Sequence, residues 1–131
     1  MRPTGTSTNF RQLAWWAKDA VVYFIAAGDP PAAIKIGVTS WSTMKSRLAA
    51  IQSANHEPIT LLGVIPFRGL PQPMRAAEDK ERELHRQFRA LQRAKEGTRG
   101  YEWFTVTPAL ISLIESTSVP AAELGFPTRA R

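Results

Sequence analysis

A chain of 131 residues with a formal net charge of +6 has room for a single modest core, and its lack of cysteine excludes a disulfide framework and a thiolate zinc site. Two histidines, His56 and His85, are too few for a histidine-rich metal cage. No apolar run approaches the ~18–20 residues of a membrane span, and the opening M-R-P-T-G-T-S-T-N lacks a secretory hydrophobic region, so the expected location is cytoplasmic.

In chain order, residues 1–9 carry Pro3, Gly5 and a Ser/Thr cluster without periodicity and are expected to be a disordered arm. Residues 10–20, with Leu13, Trp15, Trp16 and Ala17, are expected to form a short helix. The double tryptophan favours core packing over a base-stacking platform, although an exposed aromatic beside basic residues suits stacking. V-V-Y-F-I-A-A from Val21 and I-K-I-G-V-T from Ile34, joined through Gly28, Asp29, Pro30 and Pro31, read as two neighbouring strands. Alternation places Val21, Tyr23 and Ile25 on one face and Val22 and Phe24 on the other, and Lys35, Gly37 and Thr39 share a face.

Ser40 to Thr43 supply capping residues for a helix reaching about Ala54, whose apolar stripe is Met44, Leu48 and Ile51. The spacing sets Arg47 at the edge of the inward face. I-T-L-L-G-V-I-P-F from Ile59 reads as a third, largely buried strand, and Arg68 to Pro73 as a loop. Met74 to about Lys95 is the longest helical stretch, with a stripe of Met74, Ala77, Leu84, Phe88 and Leu91. Glu81 fills the one gap in that stripe. A desolvated carboxylate there costs several kcal/mol unless a cation or polar cleft faces it. His85 follows one turn later. A turn E-G-T-R-G, the aromatic segment from Tyr101 to Val106 and a last helix opened by Thr107-Pro108, with Leu110, Ile111 and Ile114 inward, complete the domain over residues 10–117. Residues 118–131, with Pro120, Gly125 and Pro127, are expected to be a loose tail.

The expected fold class is α+β, a small three-stranded, mainly antiparallel sheet flanked by helices. Tyr23, Lys35, Arg47 and Glu81 are polar groups at or near inward positions and are expected to line one concave surface. Singly, each has a packing explanation: a core tyrosine, a snorkelling lysine, and an Arg47–Glu81 ion pair between helices.

The ordered set V-V-Y, K-I-G, a helix arginine, Glu-x-x-x-His and E-W-F resembles the GIY-YIG nuclease superfamily, in particular its phage and bacterial branch with K-I-G as the second motif. The resemblance spans roughly residues 21–115. It implies a small domain hydrolysing DNA phosphodiesters with one divalent metal, Mg²⁺ or Mn²⁺. Tyr23 matches the first-motif tyrosine, Gly37 the second-motif glycine, Arg47 the helix arginine and Glu81 the metal-binding glutamate. Lys35 stands where most members have a second tyrosine, and a late asparagine has no counterpart. Trp103 and Phe104 are expected to close the core, and His85 has a base, a phosphate contact and helix packing open to it. In this scheme Arg47 clamps the phosphate, and Lys35 and Arg47 lower the Tyr23 pKa so that the phenol orients or deprotonates the attacking water.

Seventeen Lys and Arg against eleven Asp and Glu favour a polyanionic partner, most often nucleic acid, and the resemblance implies that this partner is DNA, duplex or branched. Three readings follow: a phage or mobile-element endonuclease, a non-catalytic nucleic-acid-binding module on the same fold, and a protein-interaction domain with incidental charge.

Overall fold

The computed structural model describes residues 4–94 and 102–130. Four strands form one antiparallel sheet: β1 (Ala20–Ala27), β2 (Ala33–Ser40), β3 (Ile59–Phe67) and β4 (Trp103–Thr105), in the order β3-β1-β2-β4. The α+β class holds, with one more strand than expected. β4 is the addition, a three-residue edge strand pairing Thr105 with Ala33, Phe104 with Ile34 and Trp103 with Lys35. Three residues are too few for alternation to announce a strand.

Helix α1 covers Thr4–Trp16, α2 Met44–Ser53, α3 Pro73–Gln87 and α4 Pro108–Thr117. α1 begins inside the stretch expected to be a disordered arm, and residues 1–3 lie outside the described residues. α3 stops at Gln87, short of the expected Lys95, and a 3-10 turn Arg89–Leu91 takes over. The E-G-T-R-G turn at 96–100 lies outside the described residues. Thr107 caps α4 by accepting from the Leu110 N–H at 3.2 Å, with Pro108 in the first turn where its missing N–H costs nothing.

The two faces of the sheet carry separate cores. Val22, Phe24, Ile34 and Ile36 pack with Met74, Ala77 and Leu84 of α3, Phe104 of β4, and Leu110 and Ile114 of α4. Val21, Tyr23 and Ile25 pack on the other face with Met44, Leu48 and Ile51 of α2 and with Ala121 and Phe126. Burying both faces of β1 makes its run continuously apolar, as a central strand requires.

The last segment is ordered, where a loose tail is expected. Val119 exchanges two backbone hydrogen bonds with Val64, at 2.9 and 3.0 Å, and the Leu61 N–H donates to Thr128 O at 2.8 Å. These bonds cover the outer edge of β3, which would otherwise expose unpaired amides. A 3-10 turn Ala121–Leu124 follows Val119, and the Phe126 ring meets Trp41 at 5.1 Å between centroids. Among the described residues no helix is long and apolar enough to cross a membrane.

Candidate functional site

The candidate site grows from the place where the β2–β4 ladder ends. The Ile36 N–H donates to Glu102 O at 3.0 Å, and His85 Nε2–H donates to Ile36 O at 2.9 Å. Beyond Ile36, residues 37–40 of β2 pair only with β1 among the described residues. His85 therefore ties α3 to the ladder's last residue, and its ring meets Phe104 edge-on at 5.0 Å. This contact gives the histidine a positioning task.

Across this open stretch lies Tyr23, the β1 partner of Gly37. A Cβ at position 37 would overlap the far end of the Tyr23 ring, its Cζ and hydroxyl. The phenol thus reaches from the central strand across β2 toward the free edge, and only glycine leaves it room. Tyr23 is 2% exposed, and its hydroxyl has no hydrogen-bond partner among the described residues. A buried polar group left unsatisfied is a rarity that native folds retain for a reason.

Electrostatics corrects the expected use of this phenol. Burial raises its pKa above the ordinary tyrosine range, Glu102 and Glu81 raise it further, and Arg47 opposes them. The net effect is upward, so Tyr23 stays protonated at neutral pH. It is a hydroxyl donor and no ready base.

Lys35 is bonded through Nζ to Glu102 Oε1, and Nζ lies 5.8 Å from the centroid of the Trp103 ring. Its amine is committed to holding β4 and Glu102 in place. Glu81 is half-buried on α3, and burial, then Glu102 and Glu78, push its carboxyl up to about 7 against the pull of Lys35 and Arg82. No described cation stands within ion-pair distance of it.

Arg47 is exposed on α2 and not set at the edge of the inward face. Its helix packs on the Tyr23 face of the sheet, whereas α3, with Glu81, packs on the opposite face. The four predicted residues therefore do not line one concave face, and Arg47 and Glu81 form no ion pair. What joins them is the free edge of β2: Tyr23 is close enough to both for each to perturb it. The α1 end wraps the same edge. Trp15 Nε1 donates to Glu78 Oε2 at 2.8 Å and Trp16 Nε1 to Glu78 Oε1 at 3.2 Å, and Trp15 also borders a cavity shared with Arg47.

Sequence reasoning passed over Glu78 and took Glu102, the first residue of E-W-F, as structural only. Glu102 is the largest charged influence on both Tyr23 and Glu81, yet it sits in a segment too short for any pattern to be broken. Glu78 is half-buried at the margin of the α3 stripe, four residues after Met74, a position that the stripe Met74, Ala77 and Leu84 leaves out. The one available signal was two adjacent indoles, each needing an acceptor.

Among the described residues no three acidic or histidine side chains are grouped to enclose a divalent cation. Glu81 fits an ion such as Mg²⁺ that takes one or two carboxylates and keeps its waters, because it is half-buried, has no cation within ion-pair distance among the described residues, and feels the charge of Glu102 and Glu78.

Residues 20–116 match the family model of the T5orf172 domain. This match overturns the GIY-YIG resemblance, since it is not to a GIY-YIG family. Each motif behind that resemblance specifies two or three positions of a buried strand or helix, and the packing of a small sheet calls for such residues in more than one family. The T5orf172 domain is associated with nuclease-like and DNA-binding functions. No curated protein and no solved structure matches the chain.

Proposed function

The chain belongs to the T5orf172 domain family, and on that premise we propose that it is a divalent-metal-dependent endonuclease acting on cytoplasmic DNA, duplex or branched. The observation that carries the proposal is Glu81, a half-buried carboxylate in the apolar stripe of α3 with no cation partner among the described residues, near enough to Tyr23 to raise the pKa of its buried phenol. In a purely structural role a carboxylate so placed is a liability.

In this reading Glu81 holds Mg²⁺ or Mn²⁺, which when bound supplies positive charge to a phosphate and acidifies water. Tyr23, kept neutral by its surroundings, keeps its proton and donates a hydrogen bond from its hydroxyl to an oxygen of the attacking water or of the phosphate, so fixing its orientation, while the proton that the water loses passes to solvent. Arg47, exposed and without a carboxylate partner among the described residues, offers a planar guanidinium to the non-bridging oxygens, where charge develops during cleavage. Lys35 contributes indirectly by anchoring Glu102, and His85 by anchoring α3. The +6 charge supplies non-specific attraction to the DNA backbone.

A second reading, a nucleic-acid-binding module without catalysis, draws support from the engaged Lys35 amine and the raised Tyr23 pKa, which leave neither of those two residues as a ready base. Incubation with supercoiled plasmid separates the two. The proposal expects nicking or cutting with Mg²⁺ or Mn²⁺ that EDTA abolishes. Salt-sensitive DNA binding without cleavage under any divalent metal hands the case to the binding module.

A further inference from the structure

Beside the open end of β2 lies a cavity of about 390 Å³, of which the proposed cleavage uses only the Arg47 wall. Its other walls include Trp15 in the last turn of α1, Lys18 in the connection from α1 to β1, Thr39 at the end of β2, and Thr43 and Ser46 around the start of α2. We infer that this cavity is a subsite for one nucleotide of an unpaired DNA strand, with its phosphate between Lys18 and Arg47 and its base against Trp15. The inference rests on the nucleic-acid reading above and adds to it a substrate form.

Charge is the first argument. The lining contains two cations and no acidic residue, and neither Lys18 nor Arg47 is ion-paired to a described carboxylate. Two unneutralised cations bordering one hollow favour an anionic guest.

Hydroxyl chemistry is the second. Thr39 is 3% exposed, an unusual burial for a polar side chain at a cavity wall. Its Oγ1 lies 2.7 Å from Thr43 Oγ1, which lies 2.7 Å from Ser40 Oγ. Hydroxyl hydrogens rotate to suit their partners, so a phosphate oxygen entering the cavity can accept a hydrogen bond that the cluster now makes internally.

The third argument is the indole. Trp15 is 40% exposed, and its N–H is fixed on Glu78 at 2.8 Å. The ring is thereby held before any ligand arrives, which lowers the ordering cost of stacking a base on it. Lys18 Nζ stands 5.6 Å from the centroid of that ring, so one guest can meet both a cation and an aromatic wall. The volume falls at the small end of the ~300–1,000 Å³ typical of ligand pockets, a size for one nucleotide and not for a base pair. Trp15 and Lys18 precede residues 20–116, the family-matched stretch. The aromatic wall and one of the two cations therefore come from outside the matched stretch, and the rest of the lining from within it.

The test is fluorescence anisotropy with a labelled oligo-dT and a duplex of equal length, both in EDTA so that cleavage plays no part. Lys18→Ala should weaken oligo-dT binding several-fold and reduce the salt slope by about 0.7, the value for one single-strand phosphate contact. Ala50→Glu, an exposed helical position on the cavity wall, should weaken it roughly tenfold or more by adding a carboxylate to the phosphate site. Trp15→Leu should lose roughly tenfold while Trp15→Phe, which keeps an aromatic face, stays near the parent. Duplex affinity should change less in every variant. Oligo-dT affinity at the parental level in both Lys18→Ala and Ala50→Glu overturns the subsite, as does a parent that binds duplex but no single strand. In either case the wider nucleic-acid reading stands. A parent that binds neither form overturns both.

Discussion

Tyr23 faces Gly37 directly across the β1–β2 ladder, and its phenol fills the space that any side chain at position 37 would need. The pair is thus one steric unit. Gly37→Ala forces the ring out of a two-sided core or bends the strand, and overpacking of this kind costs typically ~1–3 kcal/mol. Tyr23→Phe should cost little stability, because it removes a buried hydroxyl that has no described hydrogen-bond partner. Urea titrations of the two variants check the contrast; equal losses would show that the hydroxyl, and not the ring, carries the packing.

Glu81 binds its proton more tightly in the folded chain than in the unfolded one, with a pKa of about 7 against 4.5. The stability linked to this group is therefore fully present below the unfolded value and is lost as pH rises through about 7. Glu81→Gln cannot ionise and escapes that loss. Relative to the parent it should be about equal at pH 4 and more stable at pH 8, by up to ~2 kcal/mol once partial solvent screening is allowed for. Denaturant curves at the two pH values measure this directly, and parallel pH profiles for parent and variant would contradict it.

Arg47 is exposed and makes no ion pair with a described residue, so Arg47→Ala should leave the melting temperature nearly unchanged. Cleavage should fall by ~10²–10³ if the guanidinium meets the charge that develops on phosphate. A large drop in melting temperature would instead mark a structural arginine.

Glu78 receives the indole N–H groups of both Trp15 and Trp16, and Arg75 lies over the Trp16 ring at 4.5 Å. These contacts hold α1 on α3. Glu78→Ala should cost about 1–2 kcal/mol, since hydrogen bonds to a charged acceptor exceed neutral ones but this site is partly solvated. Limited proteolysis should cut near α1 sooner than in the parent; an unchanged digestion pattern would mean that other contacts hold the helix.

The parts of the fold legible in the sequence are those with a repeating pattern. β1, β2 and β3 show runs of β-branched and aromatic residues between turn formers, and α3 shows a stripe whose single gap exposes Glu81. What escaped depends on contacts distant in sequence. β4 exists because Trp103, Phe104 and Thr105 find the edge of β2, and the last segment is ordered because Val119 and Thr128 pair with β3. In the site, Glu81 and Tyr23 stood out as polar interruptions of apolar lines. Arg47 read as inward because three apolar residues define the α2 stripe only loosely, and a long guanidinium side chain at its margin reaches solvent. Charge alone suggested that Lys35 would lower the Tyr23 pKa. Burial of the phenol and the nearby carboxylates reverse that direction, and neither is visible until the strands are paired.

The central claim is that Glu81 is needed for cleavage and not for contact with DNA. The direct measurement is plasmid nicking by Glu81→Ala in Mn²⁺, run beside its duplex affinity and its melting curve. The account predicts that cleavage is lost while affinity and folding stay close to the parent, because a metal ligand acts on the transition state more than on backbone contacts. Nicking at the parental rate by a folded Glu81→Ala would contradict it.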